Sequence, residues 1–466
     1  MTISTAAPPE SRTAGKLSVA QYVGYGGGDA ANNLTFSLTS MFLLVYYTDV
    51  AGIAAGAAGT VLVVARVWGA FTDIFAGRIV DQTNTRWGRF RPYFLFVGPP
   101  LMLMAVVLFS IPGALGEGGA LAYAYVTYMV FYLLYSFVNI PFGSIASAMT
   151  QLPTERAKLS TVRNFGAALA MVVLAVVVAP QLSGSENLQR GLTITTAVVA
   201  VVGIALYLFL FTTSREIVER DTAAVSLRQT VATVRHNKPL VMLCVSALFF
   251  LTGMFTLQTL QVFYARDVLG NANYIIVLTL LTVAGMFLTG PVIPKLVDAF
   301  GKKSAYIGSC VVVVAGGVGI ALSPASLPWL AFIFFGAYGL GLAVAQALMW
   351  TLEADTVEYG EWETGARTEG SNYALLSFAR KVGQGIGGGL GAWAIGIGGY
   401  VAGAQIQTST ALDTIRYATG FAPALFVAIA AVIMIAYPLT DERFRDMVGE
   451  VAARRAARAA GTDTTR

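Results

Sequence analysis

Residues 59–91 read GTVLVVARVWGAFTDIFAGRIVDQTNTRWGRFR. The run to Val80 is apolar apart from Arg66, Asp73 and Arg78, long enough to cross the hydrocarbon core of a bilayer, which takes about 20 residues. A short hairpin of mixed charge follows, with Asp81, Arg86 and Arg89. Arg66 and Asp73 stand seven positions apart, so on one helix they share a face about two turns apart. A charge inside the membrane costs at least about 2.5 kcal/mol. That face, which also carries Gly69, must therefore look into a bundle rather than into lipid.

The rest of the chain repeats this pattern. Of 466 residues 56% are hydrophobic and only 12% charged, with a mean hydropathy of +0.68. A soluble domain carries about twice that share of charge. Apolar runs fall near 19–47, 53–80, 93–112, 121–149, 160–181 and 192–213, then near 240–263, 274–295, 304–322, 328–352, 371–399 and 419–437. The expected fold is an all-α polytopic membrane protein of twelve transmembrane helices in two six-helix halves. Its parts are an N-terminal tail (1–18), a first half (19–213), a linker (214–239), a second half (240–437) and a basic tail (438–466). The polar start of the chain reads as a tail and not as a cleavable signal peptide.

Lys and Arg concentrate in one set of loops, and the opposite loops carry Arg190, Arg266 and Arg416. The positive-inside rule then places both tails and the linker in the cytoplasm. This placement accounts for the net charge of +5 without nucleic acid. Cys244 and Cys310 lie in apolar runs, as small hydrophobes do.

The hairpin after the second span has an echo after the eighth, where Lys295, Asp298, Gly301, Lys302 and Lys303 stand at the matching place of the second half. Duplicated carriers are built this way. Asp81, Arg86, Arg89 and Asp298 are therefore expected to gate, their ion pairs forming and breaking as the halves rock. An acidic run after the tenth span, with Glu353, Asp355 and Glu358, is expected to pair with basic residues of the facing half; Arg367 joins the same gate. A divalent-metal loop is the lesser reading of that run.

Several groups inside the spans call for partners. Asp29, Arg163, Arg380 and Lys381 join Arg66 and Asp73 as intramembrane charges, and Asp73 is the candidate carboxylate for a proton or a monovalent cation. Asn32, Asn33 and Asn139 read either as bonds between helices or as partners for sugar hydroxyls. Gly383, Gly387 and Gly391 form one row of small residues and Gly385 and Gly389 another, suited to close helix approach. Gly24-Tyr25-Gly26-Gly27-Gly28-Asp29 does not fit a dinucleotide loop, Gly301-Lys302-Lys303 does not fit a phosphate loop, and no nucleophile–base cluster is present. The only histidine, His236, lies in the linker. An enzyme is not expected, nor an ATP-driven pump; uphill transport would draw on an ion gradient.

The stretches GYGGGDAANNL (24–34), YYTDV (46–50), VDQTNTRWGRFRPY (80–93), NIPFGS (139–144), LEADTVEYGE (352–361) and FARKVGQ (378–384) resemble the glycoside-pentoside-hexuronide:cation symporters. The resemblance runs from the first span to YPLTD at 437–441 and is strongest to members that carry glucuronides. It implies a major-facilitator fold, a small-molecule glycoside cargo, a coupling cation (H⁺ or Na⁺), no organic cofactor, and a monomer in a bacterial inner membrane. Asn33 and Asn139 stand where melibiose-type members have sugar-binding carboxylates, and Gly143 where they have an aromatic. Arg163, Ser377 and Lys381 match positions lining the polar cavity, and Asp73 matches the second carboxylate of the cation site. Gly69 stands where the first would be.

These departures suit an anionic cargo. Two unit charges at ~4 Å interact by about 4 kcal/mol at an effective dielectric near 20, so a carboxylate beside a uronate would repel it, whereas an amide still bonds hydroxyls. Substrate contacts are thus expected from Asn33, Arg66, Asn139, Arg163, Ser377 and Lys381, and cation coupling from Asp73 with Asn33, H⁺ being favoured over Na⁺. The alternative cargo is a neutral pentoside or β-glycoside.

Overall fold

The computed structural model describes residues 16–150, 152–184, 187–217, 237–365, 369–404 and 406–459. Within them the chain forms α1 (Val19–Val45), α2 (Ala55–Gln82), α3 (Arg91–Phe96 continued by Gly98–Leu108), α4 (Gly116–Met149), α5 (Pro153–Val178) and α6 (Leu188–Thr213). A second set follows: α7 (Lys238–Phe263), α8 (Tyr274–Thr289 with Ile293–Phe300), α9 (Lys302–Leu322), α10 (Pro328–Thr364), α11 (Glu369–Ile397) and α12 (Ser409–Ile435). A last helix, α13 (Asp441–Ala459), closes the described chain.

The packing repeats with an offset of six helices. α1 packs on α5 and α6 as α7 packs on α11 and α12; α2 packs on α4 as α8 packs on α10; α3 packs on α4 and α6 as α9 packs on α10 and α12. Contacts between the halves follow the same symmetry, α2 with α11, α5 with α8, and α1 with α7. Two copies of one six-helix unit therefore face each other across a pseudo-two-fold axis.

Among the described residues nine helices are long and apolar enough to cross a membrane, and the bent α8 makes ten. The other two long helices are α1 and α11. Their polarity is concentrated in Asp29, Asn32 and Asn33 on one and Arg380, Lys381 and Gln384 on the other. α8 bends by 62° at the Thr289–Ile293 break. Pro291 and Pro294 explain it, since each lacks a backbone N–H and its ring crowds the preceding turn.

The two glycine rows of α11 have different partners. A Cβ at Gly383 or Gly387 would strike the backbone of Leu248 or Thr252 on α7, within the same half. Gly385 and Gly389 instead lie against Val63 and Arg66 of α2, across the halves. Thr252 and Thr256 secure the first contact by donating to the carbonyls of Gly383 (3.3 Å) and Gly387 (3.2 Å).

The two hairpins correspond in structure as well as in sequence. Glu216 accepts from the backbone N–H groups of Arg89, Phe90 and Arg91, and Asp441 accepts from that of Lys302. Gly88 (φ +102°) and Gly301 (φ +78°) hold the left-handed turns beside these carboxylates.

The acidic run is helical, not a loop. α10 continues to Thr364 and carries Glu353, Asp355 and Glu358 on its extension. α13 docks on that extension, where Trp362 Nε1 donates to Glu450 (2.7 Å) and Arg454 donates to the Trp362 carbonyl (2.9 Å). The basic tail is therefore anchored in part to the second half.

Candidate functional site

At one end of the bundle the halves are bonded together. α1 and α7 each run on into a single π-helical turn, Tyr46–Val50 and Tyr264–Val268. Both turns read Tyr-x-x-Asp-Val-x-Gly through Gly52 and Gly270, whose φ values are +68° and +73°. In this repeated frame Arg266 Nη1 donates to Asp49 (2.7 Å) and Nε to Asp267 (2.9 Å). Tyr400 accepts from Arg266 (2.5 Å) and donates to Asp49 (2.9 Å). Asp49 belongs to the first half and the other three to the second, so the cluster is a latch. Trp393 adds a bond to the Gly56 carbonyl (3.1 Å). The sequence placed Arg266 in an outer loop; the signal that locates the latch is the repeat of this heptapeptide in the two halves.

Midway along the helices lie six charged side chains. Asp73 of α2 and Lys381 of α11 form an ion pair across the halves. Lys381 Nζ also lies 3.4 Å from the Gly69 carbonyl, and Asp73 Oδ1 is buried without a hydrogen-bond partner. Arg163 of α5 donates to Asp29 of α1 (3.0 Å), and Asn33 donates to the other Asp29 oxygen (2.9 Å). The Arg163 side chain lies over the Phe142 ring yet keeps 45% of its surface exposed, so it borders an opening between helices.

Arg66 is placed differently from expectation. It is 2% exposed, and its three guanidinium nitrogens donate to Tyr132 (2.9 Å), the Gln384 carbonyl (2.6 Å) and Ser40 (2.8 Å). With Phe255 5.0 Å beneath it, this cation ties α1, α2, α4, α7 and α11 together. It is withdrawn from any cavity because every donor nitrogen is already engaged with the helices around it.

Arg380, an intramembrane charge with no expected substrate contact, lies with its guanidinium 4.4 Å over the Trp350 ring. Trp350 in turn stacks with Tyr373. Arg163 and Arg380 are near enough to repel one another, with Tyr135 and Tyr373 beside them. Asn139 and Ser377 are half-buried on α4 and α11, and Ser377 precedes Lys381 by one turn. Asn32 serves as a bond between helices, accepting from Tyr207 (2.8 Å).

Position 69 is built for glycine. A Cβ there would lie 2.7 Å from the Tyr132 ring, and that ring is fixed by its bond to Arg66. The space a second carboxylate would need is filled by an aromatic side chain.

The expected gate residues sit at the end opposite the latch. Asp355 pairs with Lys302 (2.7 Å), a residue of its own half and not of the facing half, because Lys302 opens the neighbouring α9. Arg89 approaches Asp81 at 4.0 Å, again within one half, and Arg86 stacks on Trp87. Asp298 is exposed. Glu353, Asp355, Glu358 and Glu369 line an open cleft of about 420 Å³ with Tyr373 and Phe444. Arg367 and His236 lie outside the described residues.

Comparison with known proteins agrees with this architecture. The chain matches the MFS/sugar transport protein family over residues 24–441. It is 42% identical to the glucuronide carrier protein homolog of Escherichia coli (strain K12) across 94% of this chain and 96% of that one. It is 30% identical to the isoprimeverose transporter of Lactiplantibacillus pentosus across 89% and 87%. The crystal structure of a bacterial homolog of the human lysosomal transporter Spinster superposes with a TM-score of 0.65 at 15% identity, over 91% of this chain and 97% of that one. The chain belongs to the MFS/sugar transport protein family, in its glycoside-pentoside-hexuronide symporter group, and is a multi-pass membrane transporter rather than an enzyme.

Proposed function

We propose that this protein imports a glucuronide-type glycoside together with a proton, by alternating access, with both tails in the cytoplasm of a bacterial cell. The observation that supports the reading is the charge balance of the centre: among the described residues Arg163, Arg380 and Lys381 stand with the carboxylates of Asp29 and Asp73 alone, and Arg66, buried behind them, adds a further positive charge. A surplus of cations in a low-dielectric interior favours an anionic cargo. The name of the Escherichia coli relative points the same way.

Asp73 is the coupling carboxylate in this reading. Lys381 holds it across the halves. Its partnerless Oδ1 is the open position for a proton. Protonation removes the charge that retains Lys381, and the freed ammonium joins the cationic face presented to the uronate. Loss of the proton on the other side restores the pair and resets the carrier. A hard cation such as Na⁺ requires a set of oxygen ligands, and at position 69 the ring of Tyr132 occupies the space for one.

The test is uptake of a radiolabelled glucuronide and of its uncharged glucoside analogue into membrane vesicles with an imposed pH gradient. Preferential, gradient-stimulated uptake of the glucuronide is expected; a carrier that prefers the glucoside would contradict the cargo. The name of the isoprimeverose relative supports that second outcome, a neutral glycoside.

A further inference from the structure

We propose that Arg380, presented on the ring of Trp350, is the residue that binds the carboxylate of the cargo and so determines the preference for an anionic glycoside. This rests on the reading of the cargo as a uronide given above.

The four central cations differ in what they have left to offer. Arg66 has each guanidinium nitrogen engaged. Lys381 is held by Asp73, and Arg163 by Asp29. Arg380 alone of the four makes no hydrogen bond and no ion pair among the described residues, and its Nε is buried without a partner. A guanidinium nitrogen buried in that condition is costly unless something arrives to complete it, and the half-buried side chain leaves the rest of the fork within reach of a ligand. Its near neighbours Arg163, Tyr135 and Tyr373 provide no carboxylate.

The geometry fits a carboxylate attached to a sugar ring. A planar guanidinium offers parallel N–H donors that match two carboxylate oxygens. Its one defined contact, the face of Trp350, fixes the plane of the fork while leaving the donors uncommitted. Tyr373, stacked on Trp350 and exposed, offers an aromatic face of the kind that packs on a pyranose. Arg380 stands in the same turn of α11 as Lys381, so a cargo held there lies next to the Asp73–Lys381 pair whose release the proton controls.

The experiment compares the wild type with R380Q and R380K in vesicles, measuring KM for a glucuronide and for its uncharged glucoside analogue. Loss of a hydrogen-bonded charged group predicts a rise of about 10- to 100-fold in KM for the glucuronide in R380Q. KM for the glucoside should stay within about threefold, which also shows that the variant folds. R380K keeps the charge without the fork and should retain an intermediate preference. An R380Q carrier that discriminates as well as the wild type overturns the assignment to Arg380. A wild type with no preference for the glucuronide overturns the cargo reading on which it rests, and the two failures are distinguishable.

Discussion

The latch and the transport centre both place charged side chains between the two halves, but they are balanced differently. At the latch Asp49, Arg266, Asp267 and Tyr400 satisfy one another, and Asp49 and Arg266 keep only 8% and 16% of their side-chain surface. At the centre, among the described residues, Arg163, Arg380 and Lys381 stand with two carboxylates, an Asp73 oxygen has no hydrogen-bond partner, and Arg380 makes no hydrogen bond or ion pair. A cluster whose members complete each other stabilises one arrangement of the halves. A cluster left incomplete is a place for something to bind. Both are buried polar networks inside a membrane protein, and the difference in satisfaction separates closure from recognition.

The comparison can be broken most severely at Asp73. D73N should abolish accumulation of cargo against a gradient, because no proton can be taken up and Lys381 loses its anchor; radiolabel accumulation against exchange at equilibrium would check it. Accumulation at the wild-type level would remove Asp73 from the coupling step.

At the latch, R266Q leaves Asp49 and Asp267 buried without their cation. Breaking a buried pair by removing one partner costs about 3–5 kcal/mol, and here the loss falls on the state closed at this end. A cysteine at the buried Thr39, in a background without Cys244 and Cys310, should be alkylated tenfold or more faster in R266Q. Equal rates would mean that the latch does not hold the halves.

Smaller effects sharpen the picture. G69A places a methyl group against the Tyr132 ring, and overpacking of this kind costs about 1–3 kcal/mol. Thermal unfolding of the detergent-solubilised protein should register it. Y207F removes the bond to Asn32 and should cost about 0.6 kcal/mol, the usual value for a hydrogen bond between membrane helices.

Most of the fold was legible from the length and spacing of the apolar runs, since a span needs a fixed number of residues. The break in α8 was also written in the chain, at Pro291 and Pro294, though a hydropathy reading passes over it. The acidic run after the tenth span reads from its charge as a gate; that it continues α10 as helix and meets α13 is tertiary information. At the site, the charged residues were all visible as intramembrane exceptions, but their partners were not. Arg380 and Lys381 are adjacent, so they project about 100° apart around α11, and only the packing of that helix on α2 shows that Lys381 and not Arg380 meets Asp73. The burial of Arg66 and the engagement of its donors were hidden for the same reason: they belong to the assembled helices. The latch repeat was readable at 46–52 and 264–270, but identities at four of seven positions in segments so far apart stand out only once the halves are aligned.

The most direct test of the central claim is the movement of the coupling ion itself. Addition of a glucuronide to lightly buffered, de-energised cells carrying the protein should alkalinise the medium as protons enter with the sugar, with no dependence on Na⁺. Glucuronide entry without alkalinisation, or entry that requires Na⁺, would contradict proton-coupled import through this centre.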